Sequence, residues 1–352
     1  MSRGLTWIVL AICLVLHTTH CAASTENVSE FISVLEEKGF TVQEGRVGKL
    51  NVLELCSAGY VNYCFGNNAG FPYAVYILPP CPGQDPSPLQ APPIGYDPDS
   101  ADNYPANLGT IPAGMTYKLR PDEAIVLIGT TPPQARYFSF RSYLGFVQNK
   151  AGKDYTGTPT FGDDEIGWYH RIYCSLGDPL NHLNMWTSNT PGGAPGNAFN
   201  SETVLITTAD KGINRMMRDA LTAAGYSPDI INDDNIPPAL VDMGLEKGKD
   251  TFLMVVRAAL WDEPETGRDY IDNPGGCLRV FRITPNTPMD TEEPWSVPAL
   301  KVRETGVSEY QIVPNATADL EHLRQEIIRR HGSQELKQVH LDTNIWLPEG
   351  YI

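Results

Sequence analysis

Apolar and polar positions alternate along this chain in short, separate runs, and each run predicts an element. Phe31, Ile32, Val34 and Leu35 form a stripe that Gly39 ends, which predicts a helix over residues 25–38. Tyr73–Leu78 reads as a strand. Met115–Leu119, Glu123–Ile128 and Ala135–Leu144 follow as closely spaced strand signals with turn residues between them, a pattern that predicts an antiparallel meander. In the third run Phe138, Phe140 and Leu144 share one face, while Tyr137, Ser139, Arg141 and Tyr143 share the other, so one face is expected to pack and the other to meet water. Ile166–Cys174 reads as a further strand. Thr203–Thr207 is β-rich and leads into a helix that Asp210 or Thr208 can cap. Ile213, Met216, Met217, Leu221 and Ala224 form its inner stripe, and Gly225 stops it. Ile236–Met243 predicts a short helix and Leu278–Ile283 a strand. Thr251–Trp261 is apolar on both faces apart from Arg257, as a central buried strand would be, and Arg257 there must find a partner. Thr317–His331 is an amphipathic helix with Gly332 as its stop.

Together these predict an α+β fold: an antiparallel β-sheet core with three or four packed helices and a Pro-rich loop. The loop is marked by eight prolines between residues 79 and 98, each removing a backbone donor and fixing φ. The expected organisation is a signal peptide (1–23), an N-terminal subdomain (24–80), the Pro-rich loop (81–112), a main domain (113–300) and a C-terminal helix and tail (301–352). The last nine residues hold two aromatics and no closing element, so the chain is expected to continue in a longer protein.

The opening residues change the picture. A charged start with Arg3, an apolar run from Leu5 to Leu16 and a polar stretch ending in Ala23 have the order of a cleaved secretory leader. That run is too short to cross a hydrocarbon core, which needs about 20 residues, and no later stretch is apolar enough to span. Export makes two acceptor triplets meaningful, Asn27-Val28-Ser29 and Asn315-Ala316-Thr317, whose asparagines must then be exposed. It also makes disulfides expected among Cys56, Cys64, Cys81, Cys174 and Cys277. Candidate bridges are Cys56 with Cys64, Cys64 with Cys81, and Cys174 with Cys277, and the odd thiol is an inert buried group, an intermolecular bridge or a nucleophile. The net charge of −16 becomes −17 when Arg3 leaves with the leader. Such a surface repels phosphate backbones, which argues against nucleic acid as a partner.

The segments Pro132–Phe140 (PPQARYFSF), Cys174–Asn181 (CSLGDPLN) and Thr203–Ile213 (TVLITTADKGI) resemble the core of an uncharacterised family of hypothetical proteins, over about residues 110–285. That resemblance implies a shared core and a longer parent chain. It brings no activity, cofactor or site residue with it.

Catalytic motifs are missing from the sequence: it has no Gly-x-Ser-x-Gly, His-Glu-x-x-His, P-loop or Gly-x-Gly-x-x-Gly. Asp97, Asp99 and Asp102 are spaced like the start of a calcium loop, but Asp102 stands where that loop needs glycine and no glutamate closes it. Asp163-Asp164-Glu165 and Asp233-Asp234 read as solvated turns. No metal site or cofactor is assigned. The candidate site is composite: Tyr137, Arg141 and Tyr143 from one strand face, with Asp178, Asn181 and His182 after a Gly-Asp-Pro turn in which Asp178 could cap a short helix. If the segments meet, Arg141 binds an anionic group and His182 shuttles a proton. Trp168, Tyr169 and Trp186 flank the turn and could stack on a sugar. The plainer alternatives are a wet strand face, a simple cap and aromatics at the core edge. His170 has no partner readable from the sequence. The leading functional expectation is a secreted protein binding a saccharide or small polar ligand. The alternatives are a secreted hydrolase or lyase using Asp178, His182 and Arg141, and a structural extracellular component.

Overall fold

The computed structural model describes residues 25–50, 73–84, 114–154, 160–163, 167–297 and 315–332. Their strands form two mostly antiparallel sheets that face each other, and two of the helices lie on the far side of the first, so the α+β expectation holds as three layers.

The first sheet has the order β1 (Phe40–Glu44), β12 (Leu278–Pro285), β4 (Ala124–Thr130), β9 (Glu202–Thr208) and β10 (Ile231–Asn235). Strand alternation splits its side chains between two cores. Ala124, Val126, Ile128, Val204, Ile206 and Phe281 face α1 (Thr25–Glu37) and α2 (Lys211–Ala223), which supply Val28, Phe31, Leu35, Ile213, Met217 and Leu221. Ile125, Leu127, Leu205 and Val280 face the other way, into the second sheet.

That second sheet runs β2 (Arg46–Leu50), β3 (Tyr73–Ile77), β11 (Thr251–Trp261), β5 (Ala135–Gln148), β7 (Gly167–Ser175) and β6 (Thr160–Asp163), with the short β8 (Leu180–Asn181) also on β5. Phe138, Phe140, Phe252, Met254 and Val256 are its share of the inter-sheet core. Gly45 alone carries the chain from β1 in one sheet to β2 in the other. A Cβ there would stand 2.6 Å from the Ile77 carbonyl oxygen, so the corner needs glycine.

Segment 24–80 is therefore not a separate subdomain: β1 pairs with β12, and β3 with β11. Nor do β4 and β5 form a meander. Residues 131–134, which include Pro132 and Pro133, carry the chain from the first sheet to the second. Of Met115–Leu119 only Tyr117 pairs, with Phe252. The helix expected over Ile236–Met243 shrinks to a 3-10 turn at Pro238–Leu240, because Pro237, preceding a proline, stays extended at φ −72°, ψ 111°. Both faces of β5 are largely buried, Ser139 and Arg141 included, so its second face is not the wet one expected.

Strands β1, β2, β6 and β8 escaped the sequence pattern, and so did two further elements. One is α3 (Pro264–Asp272), which buries Tyr270 and Ile271 and whose Tyr270 hydroxyl donates to the Thr130 carbonyl at 2.9 Å. The other is β10. The crossover from β9 through α2 returns it parallel to β9, with Asp234 opposite Thr207. Asp210 caps α2 as expected, accepting from the Gly212 and Ile213 amides at 2.7 and 3.1 Å. The final helix, α4 (Ala316–His331), leaves Leu320 and Leu323 exposed. No helix among the described residues is long and apolar enough to cross a membrane. The Pro-rich stretch beyond residue 84, and Asp97, Asp99 and Asp102 within it, lie outside the described residues, as do residues 1–24.

Candidate functional site

Alternation along β10 sorts its polar residues. Asp233 points at α2, where Asn214 Nδ2 and Arg218 reach its carboxylate at 2.9 and 2.6 Å. Asn232 and Asp234 point inward. Asn232 holds the Trp186 backbone through both its amide groups, at 2.7 and 2.8 Å. Asp234, fully buried, accepts from Arg141 Nη1 at 2.6 Å, Ser142 Oγ at 2.5 Å and Thr207 Oγ1 at 2.9 Å. The pair Asp233-Asp234 is thus no solvated turn: one member braces a helix and the other ties the two sheets together.

Arg141 and Ser142 reach Asp234 where β5 passes from its pairing with β8 (Phe140 with Leu180) to its pairing with β7 (Tyr143 with Ser175). The turn between carries Gly177, whose absent side chain leaves room for the guanidinium. A Cβ would lie 2.7 Å from Arg141 Nη2. Around Asp234 stand two more buried groups. The Tyr117 hydroxyl lies beside Ser142 and the Tyr76 hydroxyl lies near both Tyr117 and Asp234, yet neither closes a hydrogen bond. Burial, followed by the Asp234 charge, pushes both phenols well above their ordinary value, so both remain protonated donors.

A cleft of about 640 Å³ opens beside this cluster. Leu144, Val147, Ile172, Leu176, Leu240 and Val241 form its apolar walls. Asn149, Lys150 and Asp242 stand among its polar groups, and the Cys174 thiol lines it. One wall is the loop 242–250, which closes on itself through Asp242 N to Asp250 Oδ2 at 2.8 Å and Asp250 N to Asp242 O at 2.9 Å. Buried Lys118 fixes that loop from within: its ammonium donates to the carbonyls of Glu246, Lys247 and Lys249 at 2.8, 3.1 and 2.7 Å.

His170 stands next to the cleft, with Nδ1 3.0 Å from the oxygen of Asn149, one of the lining residues. Burial first, then Lys150 and Lys153, lower its pKa from 6.5 to about 4. Since folding depresses this value, the unfolded chain takes up the proton first. Stability contributed by neutral His170 is complete above pH 6.5 and is lost as pH falls towards about 4, a loss of about 3 kcal/mol. His170→Asn should flatten the pH dependence of urea unfolding across that window. An unchanged slope would place the ring in water.

The residues expected to form a site are only partly brought together. Segments 137–143 and 180–186 do meet, through β5 and β8. His182, however, packs on rings, with centroids 5.7 Å from Tyr137 and 5.6 Å from Phe199. Its Nδ1 is enclosed without a partner, and burial alone lowers its pKa. Asp178 is exposed and caps no helix. Asn181 organises the turn instead, accepting from the Leu183 amide at 2.8 Å. Arg141 is spent on Asp234, so Asp178, His182 and Arg141 do not form a catalytic group. Tyr143 lies 5.6 Å from the guanidinium of Arg257, and Tyr73 stands at the same distance from it. Arg257 thus finds the partners it was expected to need in two rings. Trp186 is exposed at its rim. Trp168 and Tyr169 belong to β7 by their backbone.

Cys81 and Cys174 are free thiols, so neither a Cys64–Cys81 nor a Cys174–Cys277 bridge forms. Cys56 and Cys64 lie outside the described residues, and Cys277 precedes β12, half-buried against the inter-sheet core. Asn315 is exposed ahead of α4, while Asn27 is half-buried in α1, its amide within 4 Å of where a Gly225 Cβ would stand. Among the described residues no group of three His, Cys, Asp or Glu side chains is placed to hold a metal. No family model, curated protein or solved structure matches this chain.

Proposed function

We propose that this chain is a secreted glycoprotein that binds a small amphipathic ligand in the cleft between the ends of β5 and β7 and the loop 239–250. The carrying observation is the cleft itself. Its volume of about 640 Å³ lies in the range of small-molecule sites, and apolar walls with a few fixed polar groups are the usual composition of such sites. The leader-like opening and the two acceptor triplets support the secretory part of the reading. A saccharide is the less favoured occupant, because no aromatic side chain among the described residues lines the cleft for a sugar face to stack on. A hydrolase or lyase would need a proton-transfer pair that His182 lacks, and no observation favours a purely structural role.

The test uses the fluorescent probe N-phenyl-1-naphthylamine. Wild type should enhance its emission saturably. Ala239→Trp, an exposed position on the cleft wall where a large ring is tolerated, should abolish most of that enhancement while leaving the melting temperature within a few degrees. Equal enhancement by both proteins would overturn the assignment.

A further inference from the structure

Resting on the cleft as the binding site, we infer that it continues inward into a polar chamber where the Tyr76 and Tyr117 hydroxyls receive an acceptor oxygen of the ligand, so that the ligand is a neutral ketone or alcohol on an apolar body.

Three observations carry this. First, both hydroxyls belong to fully buried tyrosines; Tyr76 has no hydrogen-bond partner, and Tyr117 meets Ser142 without closing a well-formed bond. Buried donors are normally satisfied, since leaving one unmade is costly, so two unpaired donors side by side point to something that is bound there in use. Second, the chamber's charges are already balanced. Arg141 pairs with Asp234, and Ser142 and Thr207 fill the carboxylate's other oxygen. A second anion beside Asp234 would be repelled, whereas a neutral carbonyl or hydroxyl oxygen meets only the two phenol donors. Third, the residues around the two phenols and those of the cleft wall are immediate neighbours. Ser142, in the chamber, and Leu144, on the cleft wall, are adjacent positions on the inner face of β5, and the Leu176 amide on the same wall donates to the Ser142 carbonyl at 3.2 Å. Leu144 is the side chain that stands between the cleft and the phenols in this inference. The ligand then lies with its apolar body against Val147, Ile172 and Val241 and its oxygen between the two phenols.

The experiment measures displacement of N-phenyl-1-naphthylamine by 2-heptanone, 1-heptanol and heptane, from wild type and from the double variant Tyr76→Phe/Tyr117→Phe, together with both melting temperatures. On wild type the ketone and alcohol should bind at least about tenfold tighter than heptane. In the variant that preference should collapse while the probe still binds, and melting should stay level or rise, since no bond within the protein is lost. Equal displacement by all three compounds from wild type would overturn the chamber and leave the cleft standing. A variant that melts several degrees lower and keeps the preference would assign the hydroxyls to buried water and also overturn it. Failure of wild type to bind the probe at all would remove the cleft and this inference with it.

Discussion

Asp234→Ala should lower the free energy of unfolding by about 3–5 kcal/mol, read from the midpoint of urea denaturation. The substitution strands a guanidinium that is 4 % exposed, and the cost of an uncompensated buried charge exceeds any surface interaction. It also deprives the Ser142 and Thr207 hydroxyls of their shared acceptor. The neighbouring Asp233→Ala provides the control. Its salt bridge to Arg218 is partly exposed on both sides, so its loss should cost about 1 kcal/mol or less. Two identical residues, adjacent in sequence, would then differ several-fold in effect because strand alternation sends one inward and the other towards a helix. Equal losses would mean that β10 does not hold the register described.

Arg282→Met is the second large effect, again about 3–5 kcal/mol. Arg282 and Glu123 are both fully buried. The guanidinium meets the carboxylate through Nε and Nη2 at 2.8 and 2.7 Å and donates further to the carbonyls of Lys118 and Pro79. Thr284 and the Arg120 amide complete the Glu123 shell at 2.6 and 2.8 Å. Desolvation pushes the Glu123 pKa up, but the bonds from Arg282 outweigh it and hold the carboxyl below its ordinary range. Methionine leaves that charge without its counter-ion. The double variant Arg282→Met/Glu123→Leu should recover at least half of the loss, because removing both partners removes the buried charge as well. A double variant no better than the single one would show that the shell around the pair, and not the charge, carries the cost.

Much of this architecture could be read in the sequence, and the failures have physical causes. The run from Thr203 through Gly225 announced strand, cap, helix and stop, because each signal there is local: β-branched residues, an Asp at the N-cap and a glycine beyond the last turn. The strand Ile231–Asn235 could not be read, because four of its five residues, Asn232, Asp233, Asp234 and Asn235, have the composition of a turn, and they become strand only once α2 returns the chain beside β9. The link from β4 to β5 gave the signals of a hairpin, since turn residues report that the chain reverses and not which sheet receives it. Arg141 stood out as a cation on a strand face, but its partner Asp234 lies 93 residues away on the strand that was missed. The cleft has the same character. Its walls come from residues 144–151, 172–176 and 239–250, and no local pattern in any of them predicts a cavity.

Alkylation of Cys174 by iodoacetamide in the native protein, followed peptide by peptide by mass spectrometry with and without saturating N-phenyl-1-naphthylamine, tests the central claim most directly. Cys174 lines the cleft and is half-buried, while Cys81, 2 % exposed, serves as the internal control. A cleft that binds ligand predicts measurable reaction at Cys174, none at Cys81 until unfolding, and a several-fold slowing at Cys174 when the probe is bound. Bound probe with no change in the Cys174 rate would contradict it.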